Sequence, residues 1–92
     1  MIEVAGGRLR VAGPMVIASA TALKMAGESA LDGVSVVDLA DVDDADSAAV
    51  ALLLAWTRRA SERKQTITIA NAPESIRSLA VLYGVADLLP FA

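Results

Sequence analysis

Two β-branched runs, Val34-Ser35-Val36-Val37-Asp38-Leu39 and Thr66-Ile67-Thr68-Ile69, bracket a helical stretch, and this alternation constrains the fold more than any other feature. The first run is short and almost wholly apolar, as expected of a central strand covered by helices. The second has the period-two, β-branched character of a strand. Between them a helix is predicted from Ser47 to about Lys64. Carboxylates precede its start, and Arg58, Arg59, Arg63 and Lys64 lie near its end, so both ends complement the helix dipole. Strand, helix and strand in this order imply parallel neighbours joined by a right-handed crossover.

The flanks extend the pattern. Ile2-Glu3-Val4 and Leu9-Arg10-Val11 alternate apolar and polar residues around Gly6-Gly7, which signals a hairpin. Pro14 is expected to end the second strand, because it cannot donate to a ladder. Met15 to Ala30 predicts a helix with Gly27 as a weak point near its end, although Val16-Ile17 and Thr21 would also suit a strand. Asp41 to Asp46 reads as a polar loop. Pro73 suits the first position of a helix continuing to Tyr83, with Gly84 as its stop. The tail from Val85 to Phe91 is apolar enough to pack back on the body. The order β-β-α-β-α-β-α over residues 1–92 predicts one α/β domain.

Composition limits what such a domain can do. Apolar residues supply 55% and aromatic residues 3%, so the core is aliphatic and needs close helix–sheet packing. A chain of 92 residues can build that core without disulfides or a metal. A net charge of −3 argues against nucleic acid, which needs a basic stripe. With no cysteine and no histidine, the chain lacks thiol chemistry, thiolate metal sites and the commonest general base. The serine at a helix start after a strand, Ser47, lacks a Gly-x-Ser-x-Gly elbow. The expectation is therefore a protein that is not an enzyme. Asp41, Asp43, Asp44 and Asp46 do not make a calcium loop, since the sixth and twelfth places hold Asp46 and Leu52 instead of Gly and Glu. Gly6-Gly7 lacks the Lys-Ser or Lys-Thr of a phosphate loop, so no cofactor and no metal are expected. The start Met1-Ile2-Glu3 has no basic region leading into an apolar stretch. Ala48 to Trp56 is about half the ~20 residues a membrane span requires, so a soluble cytoplasmic protein is expected.

Function then falls to contact with another protein. Asp46 is placed to cap the helix, and Ser47 falls in its exposed first turn. At about 100° per residue, Ala49, Val50, Leu52, Leu53, Leu54, Trp56 and Ala60 spread over about 200°, more than one core face needs. The remaining sector holds Ser47, Ala48, Ala51, Ala55, Arg58 and Glu62. Small residues side by side make a flat surface that a partner backbone can approach closely. The candidate contact is thus Asp46, Ser47, Ala48, Ala51, Ala55 and Arg58; the plainer reading is that alanines simply favour helices. The basic group at the helix end is a solvated terminus, or faces an acidic patch or membrane headgroups. Trp56 is core or contact, and Tyr83 reads as an anchor for the last helix.

The strand Val36-Val37-Asp38-Leu39, the acidic stretch, and Asp46-Ser47-Ala48-Ala49 leading into Val50-Ala51-Leu52-Leu53-Leu54 resemble the signature of STAS domains. That motif is an Asp, a Ser or Thr, one or two small residues, then an apolar helix. Gly13-Pro14-Met15 and the ending Leu79 to Pro90 extend the resemblance over the whole chain, which looks most like the MlaB subgroup. The resemblance implies a four-stranded mixed sheet with three to four helices. It also implies a cytoplasmic accessory subunit that binds the ATPase of a phospholipid-transporting ABC complex, peripheral to the inner membrane through that partner, with Ser47 at the contact. The alternative within the family is an anti-sigma factor antagonist regulated by phosphorylation of Ser47. A helix N-terminus favours a phosphate there, whereas Asp43, Asp44 and Asp46 repel it. The family's small residues are commonly Gly; Ala48 and Ala49 each add a methyl group that restricts a kinase more than a docking partner. A nucleotide-binding STAS domain would need a phosphate cradle that the sequence does not show.

Overall fold

A computed structural model describes all 92 residues. Strand β1 (Ile2–Ala5) turns back through Gly6 and Gly7 into β2 (Arg8–Met15) as an antiparallel hairpin. Both glycines have positive φ, 58° and 76°, the conformation that a two-residue hairpin turn matched to strand twist requires. Helix α1 (Ile17–Ala30) leads to β3 (Val36–Ala45), α2 (Ser47–Glu62) to the short β4 (Thr68–Ala70), and α3 (Glu74–Leu82) to a 3₁₀ turn at Ala86–Leu88. The sheet order is β1-β2-β3-β4, with β2–β3 and β3–β4 parallel. This is the α/β, four-stranded mixed sheet with three helices that the sequence predicts.

Alternate strand positions Leu9, Val11, Val37, Leu39 and Ile69, with Ile67 just before β4, are buried in one core with Leu23, Leu53, Trp56 and Ile76 from the helices. The opposite positions Glu3, Arg8, Arg10 and Thr68 are exposed. The helices therefore cover one sheet face, not both sides of β3 as its apolar sequence suggests. Asp38 lies on the open face and is still only 8% exposed. Arg8 Nε (2.9 Å), Asn71 Nδ2 (3.0 Å) and the Ala40 amide (2.9 Å) all donate to its carboxylate. The Asn71 and Ala40 hydrogen bonds, with Arg8 behind them, hold the Asp38 pKa below its usual value against the opposing effect of burial.

The sequence expectation needs two corrections, and they share a cause. Pro14 does not end β2, and Asp41 to Ala45 is not a loop: the two segments pair with one another, Gly13 with Val42, Pro14 with Asp44 and Met15 with Ala45. β1 reaches only to Val11 and β4 only to Asp38, so this far end of the sheet is a two-stranded tongue. A proline is tolerated where one side of its strand has no neighbour, and register shifts after Arg10 and Gly13 absorb it. Asp41, Asp43 and Asp44 remain solvated there although they belong to a strand. Asp41 also takes an ion pair from Arg10 of β2. At the other end, α2 stops at Glu62, and Lys64 takes a positive φ of 56°.

Candidate functional site

The two-stranded tongue delivers the chain to Asp46, whose amide donates to Met15 O at 3.3 Å. One oxygen of the Asp46 carboxylate accepts from the Ala48 amide at 2.8 Å and so caps α2. The other accepts from the amide of Ile17, the first residue of α1, at 3.1 Å. A single carboxylate thus satisfies orphan donors at two helix starts and faces the positive end of both dipoles. The first bond follows from local sequence. The second joins residues 29 apart and has no local signal.

Beyond the cap, Ser47, Ala51 and Arg58 are exposed, while Ala48 and Ala55 are half-buried. The half-burial comes from α1: Ala48, Ala51 and Ala55 line a shallow groove with Ala20, Thr21 and Lys24. On the other flank, Ser47, Val50, Ala51 and Leu54 line a second shallow groove with Tyr83 and Val85. The six residues singled out in the sequence therefore run along one side of α2, and the exposed strip among them lies between two grooves. Arg58 makes none of the ion pairs of this region: Arg59 pairs with Glu62 (3.7 Å), Arg63 with Asp32, and Lys24 with Glu28 (3.3 Å).

Some of this surface escapes sequence reasoning. Tyr83 is 52% exposed at the end of α3 instead of anchoring it, and Leu88 is 64% exposed beside Leu54 and Arg58. Ile17, hydrogen-bonded to Asp46, is 80% exposed. Trp56 belongs to the core: it is fully buried, and its Nε1–H donates to Lys24 O at 3.4 Å. Gly27 of α1 makes room for it, since a Cβ there would lie 2.3 Å from the indole. The glycine read as a weak point of α1 is a packing requirement. No helix is long and apolar enough to cross a membrane.

An N-terminal hairpin, parallel β-α-β units with helices on one sheet face, and an aspartate-capped serine opening the helix after the third strand together define a STAS-type domain. The family model described as "Mlab, STAS domain" matches residues 2–90, and the chain belongs to that STAS family. Among solved structures, the anti-sigma factor antagonist SpoIIAA in its unphosphorylated form is similar, with a TM-score of 0.66, 15% identity, and coverage of 86% of this chain and 78% of that one. A Thermotoga maritima protein described as a candidate anti-sigma factor antagonist gives a TM-score of 0.76 at 11% identity over 99% of this chain and 83% of its own. A sulfate transporter family protein from Wolinella succinogenes gives 0.71 at 14% identity over 97% and 79%. At such identities these likenesses establish the fold. No curated protein sequence matches the chain.

Proposed function

We propose that this chain is a non-catalytic accessory subunit that binds the ATPase of a phospholipid-transporting ABC complex and supports its assembly or activity, in the maintenance of outer-membrane lipid asymmetry. The observation that carries the reading is the exposed strip Ser47, Ala51 and Arg58 on α2, set between two shallow grooves in a chain of the MlaB-type STAS family. Small side chains let a partner backbone approach, and the flanking grooves give larger side chains somewhere to seat. In this reading the protein works in the cytoplasm and reaches the inner membrane only through its partner. Co-expression with the candidate ATPase is the test: if both proteins fold and do not co-purify, the proposal fails. Ala51→Arg is expected to abolish co-purification and leave the thermal melt unchanged, because Ala51 is exposed and an arginine there points into solvent.

A second reading, a phosphorylation-regulated anti-sigma factor antagonist, is favoured by the exposure of Ser47 and by the likeness to SpoIIAA. Against it stand the exposed Asp43 and Asp44 and the methyl group of the half-buried Ala48 next to the serine; that of Ala49 points into the core and does not restrict access. Intact-mass measurement of protein from its native host separates the two. A stoichiometric phosphate on Ser47 favours the switch; its absence under all growth conditions favours constitutive docking.

A further inference from the structure

The outward face of α2 has a pattern that a docking role alone does not require. Its central line, Ser47, Ala51, Leu54 and Arg58, recurs at steps of four, three and four, the spacing of a coiled-coil seam. The line is complementary to its own reverse. Laid antiparallel about a two-fold axis at the level of Leu52 and Leu53, it sets the small Ala51 against the large, half-buried Leu54 and Ser47 against Arg58, and symmetry makes each contact twice. The charges match in the same register. The two ends of the line carry opposite charges: Arg58 stands at one end, and Asp43 and Asp44 are exposed in the tongue that leads into the other. None of the five ion pairs within the chain uses Asp43, Asp44 or Arg58, so these charges are free for a contact between copies.

We infer that the face is covered, in the absence of another partner, by a second copy of this chain in an antiparallel α2–α2 dimer. The extent of the contact sets its strength. The 16 residues of α2 make a strip about 24 Å long and about 10 Å wide. Even with Tyr83 and Leu88 at its flank, such a strip falls below the roughly 1,200 Å² that stable interfaces bury. The dimer is therefore weak and exchanges readily. Because it occupies the strip assigned above to the ATPase, the two contacts exclude one another, and self-association protects the apolar flank until a partner displaces the second copy.

The test needs only the isolated full chain, so its outcome is independent of the ATPase reading. Sedimentation velocity from about 10 μM to about 1 mM, the range of weak association, is expected to show a monomer–dimer equilibrium that weakens with added salt. Arg58→Glu and the double variant Asp43→Lys/Asp44→Lys are each expected to lower the association constant at least tenfold, with thermal melts near that of the parent chain. Two outcomes identify this geometry in particular. The triple variant regains dimerisation, and an equimolar mixture of the two defective variants forms a mixed dimer, because each copy then offers what the other lacks. A chain that stays monomeric at about 1 mM overturns the inference and leaves the face to a different protein. A dimer indifferent to both charge reversals overturns it as well, since its contact lies elsewhere.

Discussion

Replacing Gly27 by alanine should destabilise the protein, although helix propensity alone predicts the opposite. An alanine in place of an interior glycine gains a helix about 1 kcal/mol. Here the added Cβ would stand 2.3 Å from Cε2 and Cζ2 of Trp56 and 2.4 Å from Nε1. Carbon atoms need about 3.5 Å, so the indole or α1 has to move by more than 1 Å. Trp56 is fully buried between α1, α2 and the sheet, with no solvent-facing route along which to yield. Overpacking of that kind costs about 1–3 kcal/mol. Moving the ring also endangers the Nε1–H bond to Lys24 O, and an orphaned buried donor costs about 1–3 kcal/mol more. Set against the propensity gain, the net expectation is a loss of about 2 kcal/mol, or roughly 8–16 °C in Tm for a domain this small. Thermal melts by circular dichroism read it directly, and the fluorescence of the single tryptophan reports the same transition. The discriminating measurement is the same substitution in a Trp56→Phe background, where the atoms nearest the new Cβ are gone. There Gly27→Ala should be neutral or stabilising. An unchanged or raised Tm for Gly27→Ala in the parent chain would refute the close-packing account.

Two further predictions concern the carboxylates. Asp46→Ala removes acceptors from the starts of α1 and α2 together and should cost about 2 kcal/mol in urea unfolding, a cap of about 1 kcal/mol plus a second hydrogen bond of similar size. Asp46→Asn keeps one acceptor oxygen and should lose about half as much; a loss of only about 1 kcal/mol for the alanine variant, the worth of the cap alone, would mean that the bond to Ile17 contributes nothing. For Asp38, a folded-state pKa held below the ordinary 3.8 contributes stability that is fully present above that value and is lost as the pH falls through the lower, folded one. Because the Asn71 hydrogen bond is the largest cause of the shift, Asn71→Ala should destabilise the protein at neutral pH and converge on the parent chain in acid, as followed by Tm from about pH 6 to about pH 2. A deficit of constant size across that range would show that Asn71 acts through packing instead.

The parts of the fold that were legible in the sequence are those set by one element's own period. The strip Ser47, Ala51, Arg58 belongs to a single helix, so its 3.6-residue repeat separates it from the buried Ala49, Val50, Leu52, Leu53 and Trp56 before any partner is known. The Gly6-Gly7 turn and the Asp46 cap are equally local. What escaped depends on where other elements stop. Asp41, Asp43 and Asp44 read as a loop because carboxylates are poor strand formers, yet they are harmless in a strand whose neighbours β1 and β4 have already ended. Asp38 looks like a flaw in an apolar run until Arg8 and Asn71, one from each adjacent segment of the sheet, are seen to satisfy it.

The same distinction applies to the candidate site. Its central strip is encoded by α2, but its width is set by α1 and by the end of α3, which supply Ala20, Thr21 and Lys24 on one flank and Tyr83 and Val85 on the other. Two long-range devices hold α1 in place: the Asp46 carboxylate at the helix starts and the Gly27–Trp56 contact near the other end of α1. Both lie outside the exposed strip, and both fix the distance between α1 and α2 that defines the first groove. Substitutions at Asp46 or Gly27 should therefore weaken docking through a displaced α1 as well as through lost stability. Ala51→Arg should weaken it with α1 undisturbed. Amide hydrogen exchange along α1 distinguishes the two routes, since only the first should raise exchange in residues 17–30.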